Sequence, residues 1–79
     1  MLNTQSLEWL MACERLRDQA AAIEDEGETI LLAFDRLQRE PTAAERDARR
    51  KAYLENRARL HAVHDEIDAI NARLGREAY

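Results

Sequence analysis

Apolar residues recur along the first half of the chain at alternating spacings of four and three, the rhythm of a helix that packs along one stripe. This stripe, called seam 1, comprises Trp9, Cys13, Leu16, Ala20, Ile23, Gly27, Ile30, Phe34 and Leu37. A second stripe of the same period, called seam 2, comprises Tyr53, Asn56, Leu60, Val63, Ile67, Ile70 and Leu74. The pattern predicts two amphipathic helices that pack against each other.

Pro41 separates the two stripes and sets the predicted helix bounds. The residue before a proline is disfavoured in helical conformation, so helix 1 is predicted over about 5–39. Thr42 and Glu45 have the spacing of a capping box, in which each side chain accepts a hydrogen bond from the other residue's amide. We therefore expect a turn at 40–42.

Helix 2 is predicted over about 43–74, with Gly75 ending it in a left-handed conformation. So short a turn permits only an antiparallel neighbour. The sequence thus predicts one all-α domain, residues 1–79, folded as a two-helix antiparallel coiled-coil hairpin.

Folding the chain at Pro41 pairs residues whose numbers sum to about 83. Gly27 then lies opposite Asn56, Phe34 opposite Arg49, and Trp9 opposite Leu74. The same register brings two pairs of opposite charge together, Glu26 with Arg59 and Glu24 with Arg57. Gly27 leaves a notch for a bulky side chain, and a buried Asn56 would penalise other alignments because its amide needs a partner.

The chain is too short for a large core. A core of this size rarely supplies more than roughly 3–5 kcal/mol, and Cys13 is the only cysteine, so no intrachain disulfide is available. We interpret Cys13 as a small buried hydrophobe. Stability is therefore expected from association, as a homodimer that forms a four-helix bundle.

The sequence favours a cytoplasmic location. It opens with neither a secretory signal nor an apolar run of the ~20 residues that a membrane span needs. A single thiol also suits a reducing compartment.

Apolar residues off the seams indicate a second interface, and we predict contact with a larger protein partner. The predicted contact residues are Leu7, Met11, Leu31, Leu32 and Phe34, with Arg49 and Arg50 giving orientation. Small size and acidity suit an adaptor or an inhibitor, such as a phage-encoded antagonist of a host complex. Catalysis has little support, since no glycine-rich phosphate loop, clustered cysteines or concavity is indicated.

Charge is unevenly divided. Residues 1–40 hold 4 basic and 9 acidic side chains, a balance of −5, whereas residues 41–79 hold 8 and 7, a balance of +1. The basic stretch within 46–59 supports an alternative hypothesis of contact with nucleic-acid phosphates. Its candidate residues are Arg46, Arg49, Arg50, Lys51 and Arg57.

A helical-hairpin dimer with a basic face resembles in outline the small RNA-binding plasmid copy-number regulators called Rop. The likeness lies in architecture, without a shared motif, and it implies a regulator that binds RNA. The acidic total, −4, favours the protein-interaction hypothesis over this one.

His61 and His64 lie near Asp65 and Asp68 at helical spacings that suit a metal site. The facing stretch of helix 1 contains Arg15 and Arg17, which would repel a cation. We therefore predict no metal and no cofactor.

Overall fold

Residues 4–78 form two α-helices joined by an eleven-residue connection, in a computed structural model that describes the side chains of residues 4 and 6–73. Helix α1 spans Thr4–Leu31 and α2 spans Ala43–Ala78. They pack side by side, and the molecule measures 59 × 19 × 12 Å. The predicted all-α hairpin is confirmed, as a single layer.

The core lies along the middle of the two seams. Among the described side chains, the buried apolar residues are Cys13, Leu16, Ala20, Leu60 and Val63. Ile23, Ile67 and Ile70 pack against them and are partly buried. The part of seam 1 that lies within α1 and the described part of seam 2 are therefore confirmed as the packing stripes, whereas Phe34 and Leu37 of seam 1 lie beyond the end of α1. The predicted pair of Trp9 with Leu74 rests on a side chain outside the described residues; the Trp9 indole instead donates to Asn71 Oδ1 at 3.1 Å.

The crossing of Gly27 and Asn56 fixes the register. Asn56 has no exposed surface, and its Nδ2 donates to the backbone oxygen of Ile23 at 2.8 Å. Its Oδ1 accepts from Arg57 Nε at 3.1 Å and from Arg57 Nη2 at 2.7 Å. A Cβ on Gly27 would lie 2.6 Å from Asn56 Oδ1. The predicted notch thus holds the amide, whose hydrogen-bonding groups are all satisfied.

Helix α1 ends at Leu31, eight residues before the predicted end at Arg39. Tighter three-residue bonds replace the α-helical ladder beyond it: Asp35 N donates to Leu32 O at 3.0 Å, and Leu37 N to Phe34 O at 3.1 Å. Such bonds form tight turns rather than α-helix. The predicted turn at 40–42 is therefore the last part of a connection that covers residues 32–42.

Arg49 of α2 closes the end of α1. Its Nη1 donates to the backbone oxygen of Leu31 at 3.3 Å, one of the carbonyls that a helix C-terminus leaves without an intrahelical donor. Its guanidinium carbon also lies 4.3 Å from the centre of the Phe34 ring. The predicted juxtaposition of Phe34 and Arg49 is confirmed, and it explains why the apolar rhythm continues past the helix.

The capping box at the start of α2 is confirmed. Thr42 N donates to Glu45 Oε1 at 2.9 Å, and Glu45 N donates to Thr42 Oγ1 at 3.1 Å. Arg39 adds two bonds to the same carboxylate, at 2.7 and 3.0 Å. The Arg39 guanidinium, followed by the Thr42 amide, lowers the pKa of the Glu45 carboxyl to about 2.

Helix α2 continues through Gly75 to Ala78, four residues beyond the predicted end at Leu74. No glycine among the described residues has a positive φ, so Gly75 does not form the expected left-handed cap. The α-helical hydrogen bonds continue across it. Over the described part of the chain, neither helix has a stretch that is apolar and long enough to cross a membrane.

Candidate interaction surface

Large apolar side chains are exposed at both ends of the hairpin. Leu7, Leu10 and Met11 form what we call the open-end cluster and are 51%, 37% and 56% exposed. The turn-end cluster comprises Leu31, Leu32 and Leu54, which are 47%, 50% and 61% exposed. Leu7, Leu10 and Met11 lie at helical spacings of three and four and therefore form a contiguous apolar surface, which is typical of protein-interaction sites.

The structure separates the predicted contact residues into two groups. Leu7, Met11, Leu31, Leu32 and Arg50 are exposed and accessible to a partner. Phe34 and Arg49 are half-buried because they cover each other. The exposed apolar members of the predicted contact set are therefore the three leucines and Met11.

Leu10 and Leu54 were not among the predicted contact residues, although both are exposed. Each directly follows a seam residue, so it lies on the shoulder of its helix. A search for a second row with a period of seven would have shown Leu10, because Leu31 lies three heptads further along the same shoulder.

Most of the predicted nucleic-acid residues bind within their own chain. Arg46 Nη1 donates to Pro41 O at 2.9 Å, Arg49 covers Phe34, and Arg57 binds Asn56 while its guanidinium carbon lies 5.0 Å from the centre of the Tyr53 ring. Arg50 and Lys51 remain exposed. The basic stretch therefore acts mainly as internal support for the turn end.

One of the two predicted interhelical ion pairs is present. Arg59 Nη2 lies 2.5 Å from Glu26 Oε1, with both side chains about half exposed. The predicted pair of Glu24 with Arg57 is absent, because the Arg57 guanidinium donates instead to Oδ1 of the neighbouring residue Asn56. Across the part of the chain that the structure describes, neither Glu24 nor Arg17 has an ion-pair partner.

The histidines lie on the outside of α2. His61 Nε2 is 3.6 Å from Asp65 Oδ2, and both side chains are largely exposed. Among the described side chains, those of residues 4 and 6–73, no group of three or more metal-binding residues converges.

The surface area shows how little of this chain is enclosed. The accessible surface is 6558 Å² for a chain of 9.2 kDa, whereas a compact monomer of that mass exposes about 4,900 Å². The radius of gyration is 18.2 Å, against about 12 Å for a compact domain of this length. The hairpin is therefore an extended, largely uncovered body.

Comparisons with protein-family models, with curated proteins and with solved structures find no match to this chain.

Proposed function

We propose that this protein is a small non-enzymatic interaction protein, an adaptor or inhibitor that forms a homodimer and holds a larger protein on its outward apolar surface. The exposed clusters at both ends of a single-layer hairpin carry the proposal. The setting proposed is the cytoplasm, where a lone thiol such as Cys13 stays reduced.

The case for a dimer rests on area. The chain exposes about 1,600 Å² more than a compact monomer of its mass, and a standard interface removes about 800 Å² from each partner. A second copy can cover that area without any change of fold. Packing two hairpins face to face would also convert one layer of helices into the two layers that domains commonly have.

The case for a further partner rests on the outer side of α1. Met11 and Leu32 are both about half exposed and lie three heptads apart. Met11 is on the side of α1 away from α2, and Leu32 directly follows α1 on the same row, because its amide still bonds to Glu28 O at 3.0 Å. A second hairpin packed on the broad face of the first would leave this row uncovered. Two apolar anchors about 32 Å apart suit a partner with an extended surface.

A Rop-like role in RNA binding is the competing hypothesis. Arg46, Arg50 and Lys51 are the exposed members of the basic set. Arg46 donates to Pro41 O, and the two remaining cations support only weak phosphate contact. Binding of RNA that falls steeply with salt would favour that role, whereas salt-insensitive capture of a protein would favour the proposed one.

The test compares two tagged variants with the wild type in extracts of the native cells. Met11→Glu with Leu32→Glu places charge on the outer row, and Gln19→Glu with Thr29→Glu adds the same charge at exposed positions elsewhere on α1. We expect a stoichiometric protein partner to be lost only with the first variant, at unchanged melting temperature. Equal capture by both variants, or capture of nucleic acid alone, would contradict the proposal.

A further inference from the structure

Four exposed residues form a straight row beside seam 1. Leu10, Arg17, Glu24 and Leu31 are spaced by seven, and each directly follows a seam residue. In a helix that winds around a neighbour, residues seven apart stay on one side of the pair. The row is about 32 Å long, from the helical rise of about 1.5 Å per residue. It therefore extends along most of the length of α1, on one of the two broad faces of the hairpin.

The row is complementary to its own reverse. Read in either direction it begins and ends with leucine, and its two inner charges exchange places on reversal. If a second copy lies antiparallel to the first, Leu10 meets Leu31 of that copy, and Arg17 meets its Glu24. A symmetric dimer needs this self-complementarity, because one patch must bind itself.

We propose that the dimer forms by antiparallel packing of α1 against α1 of a second copy, with the twofold axis between residues 20 and 21. This inference rests on the homodimer in the proposed function and specifies its interface. The leucines at the two ends supply apolar contact, and the inner charges select the orientation.

The charges disfavour the parallel arrangement. In that orientation Arg17 would face Arg17, and Glu24 would face Glu24, so both inner pairs would repel. Neither side chain has an ion-pair partner among the described residues of its own chain, so both are available to a second copy. The antiparallel arrangement turns both inner contacts into attractions.

Helix α2 fits the same axis. In the observed register Gly27 lies against Asn56, so residues of α1 and α2 whose numbers sum to about 83 lie opposite each other. An axis between residues 20 and 21 then places Arg57 at the level of Asp68 of the second copy. The Arg57 guanidinium is held by Asn56 Oδ1 through Nε and Nη2, so Asp68 would meet an opposite charge that is already fixed in place. Asp68 is exposed in the hairpin. The complementarity therefore extends across both helices of the face.

Charge reversal tests the inner pairs. Arg17→Glu and Glu24→Arg each replace two attractions in the dimer by two repulsions, so sedimentation should show about tenfold weaker dimerisation for each. The double variant restores opposite charges and should recover the wild-type constant. Arg15→Glu and Asp18→Arg, which change charge equally at exposed positions off the row, should have much smaller effects.

Cysteine crosslinking tests the orientation. Leu10→Cys combined with Leu31→Cys should form intermolecular disulfides under mild oxidation, because the axis brings position 10 near position 31. Leu10→Cys alone should not crosslink, since the two copies of position 10 would lie about 32 Å apart. The wild type, with its buried Cys13, controls for the native thiol.

The outcomes separate this inference from the proposed function. A wild type that is monomeric at all concentrations would overturn both the dimer and this interface. A dimer that crosslinks through position 10 alone, or that the double charge variant fails to restore, would overturn the antiparallel interface and leave the proposed dimer standing.

Discussion

Replacement of Gly27 by alanine should destabilise the hairpin, against the ordinary expectation for a helix. A new Cβ would lie 2.6 Å from Asn56 Oδ1 and also too close to Arg57 Nη2. Asn56 cannot move freely, because its Nδ2 is bonded to Ile23 O across the helix interface. Arg57 is held by the same Oδ1, so both atoms in the way depend on Asn56.

The magnitude follows from two opposing effects. In an open helix position alanine stabilises relative to glycine by about 1 kcal/mol. Forcing an extra carbon into a packed contact costs about 1–3 kcal/mol. We therefore expect Gly27→Ala to lower the free energy of unfolding by about 1 kcal/mol.

The sign should reverse once the amide is removed. Asn56→Ala by itself should cost about 1–3 kcal/mol, from the lost hydrogen bonds and the space left behind. In that background nothing blocks the new Cβ, so Gly27→Ala should stabilise by up to about 1 kcal/mol. The coupling between the two sites is then about 2 kcal/mol, within the range for residues in contact.

Urea unfolding followed by far-ultraviolet circular dichroism measures this cycle, with all variants at one protein concentration. Ala22→Gly, at an exposed position of α1, gives the helix-propensity difference without any packing change. Additive effects of the two substitutions, or stabilisation by Gly27→Ala in the wild type, would refute the assignment of Asn56 to the notch of Gly27.

Three other predictions concern separate parts of the hairpin. Folding lowers the pKa of Glu45 from 4.5 to about 2, so its stabilisation should be present above pH 4.5 and be lost as the pH falls towards 2. In acid titration, the free energy of unfolding should fall less for Glu45→Gln than for the wild type, and equal curves would contradict this. Arg49→Met should cost about 1 kcal/mol in urea unfolding by removing the contact with Phe34 and the bond to Leu31 O, whereas Arg50→Met should have little effect. Leu60→Ala should cost about 2–5 kcal/mol and unfold most of the chain, so a near-native helical signal would contradict the small core described above.

The packing of the two helices was predictable because it depends on local and periodic signals. The seams follow from spacing alone, and the register follows once Pro41 is taken as the fold point. Two pairs predicted in this way, Glu26 with Arg59 and Thr42 with Glu45, are present in the structure. The first pair depends only on the register, and the second only on the spacing of three residues in a capping box.

The end of α1 was not predictable from the same signals. The apolar rhythm continues to Phe34 and Leu37, but the chain leaves the α-helix at Leu31. The terminal carbonyl there is satisfied by Arg49, eighteen residues away, and a sequence pattern does not show that contact. Arg57 illustrates the same limit, since two acceptors compete for it and only the geometry identifies Asn56.

The exposure of the candidate interaction surface was predictable in part. Exposed leucines off the seams indicated an interface, and four of the five predicted apolar positions are open to a partner. Phe34 is the exception because Arg49 lies on its ring. The self-complementary row was missed because its two leucines are separated by charged residues, so no short window contains both.

Sedimentation equilibrium of the wild-type chain over a wide concentration range tests whether so thin a hairpin is completed by a second copy. We expect the mass to approach twice 9.2 kDa as the concentration rises, and the melting temperature to rise with it. A chain that stays at 9.2 kDa, fully helical and with a melting temperature independent of concentration, would contradict it.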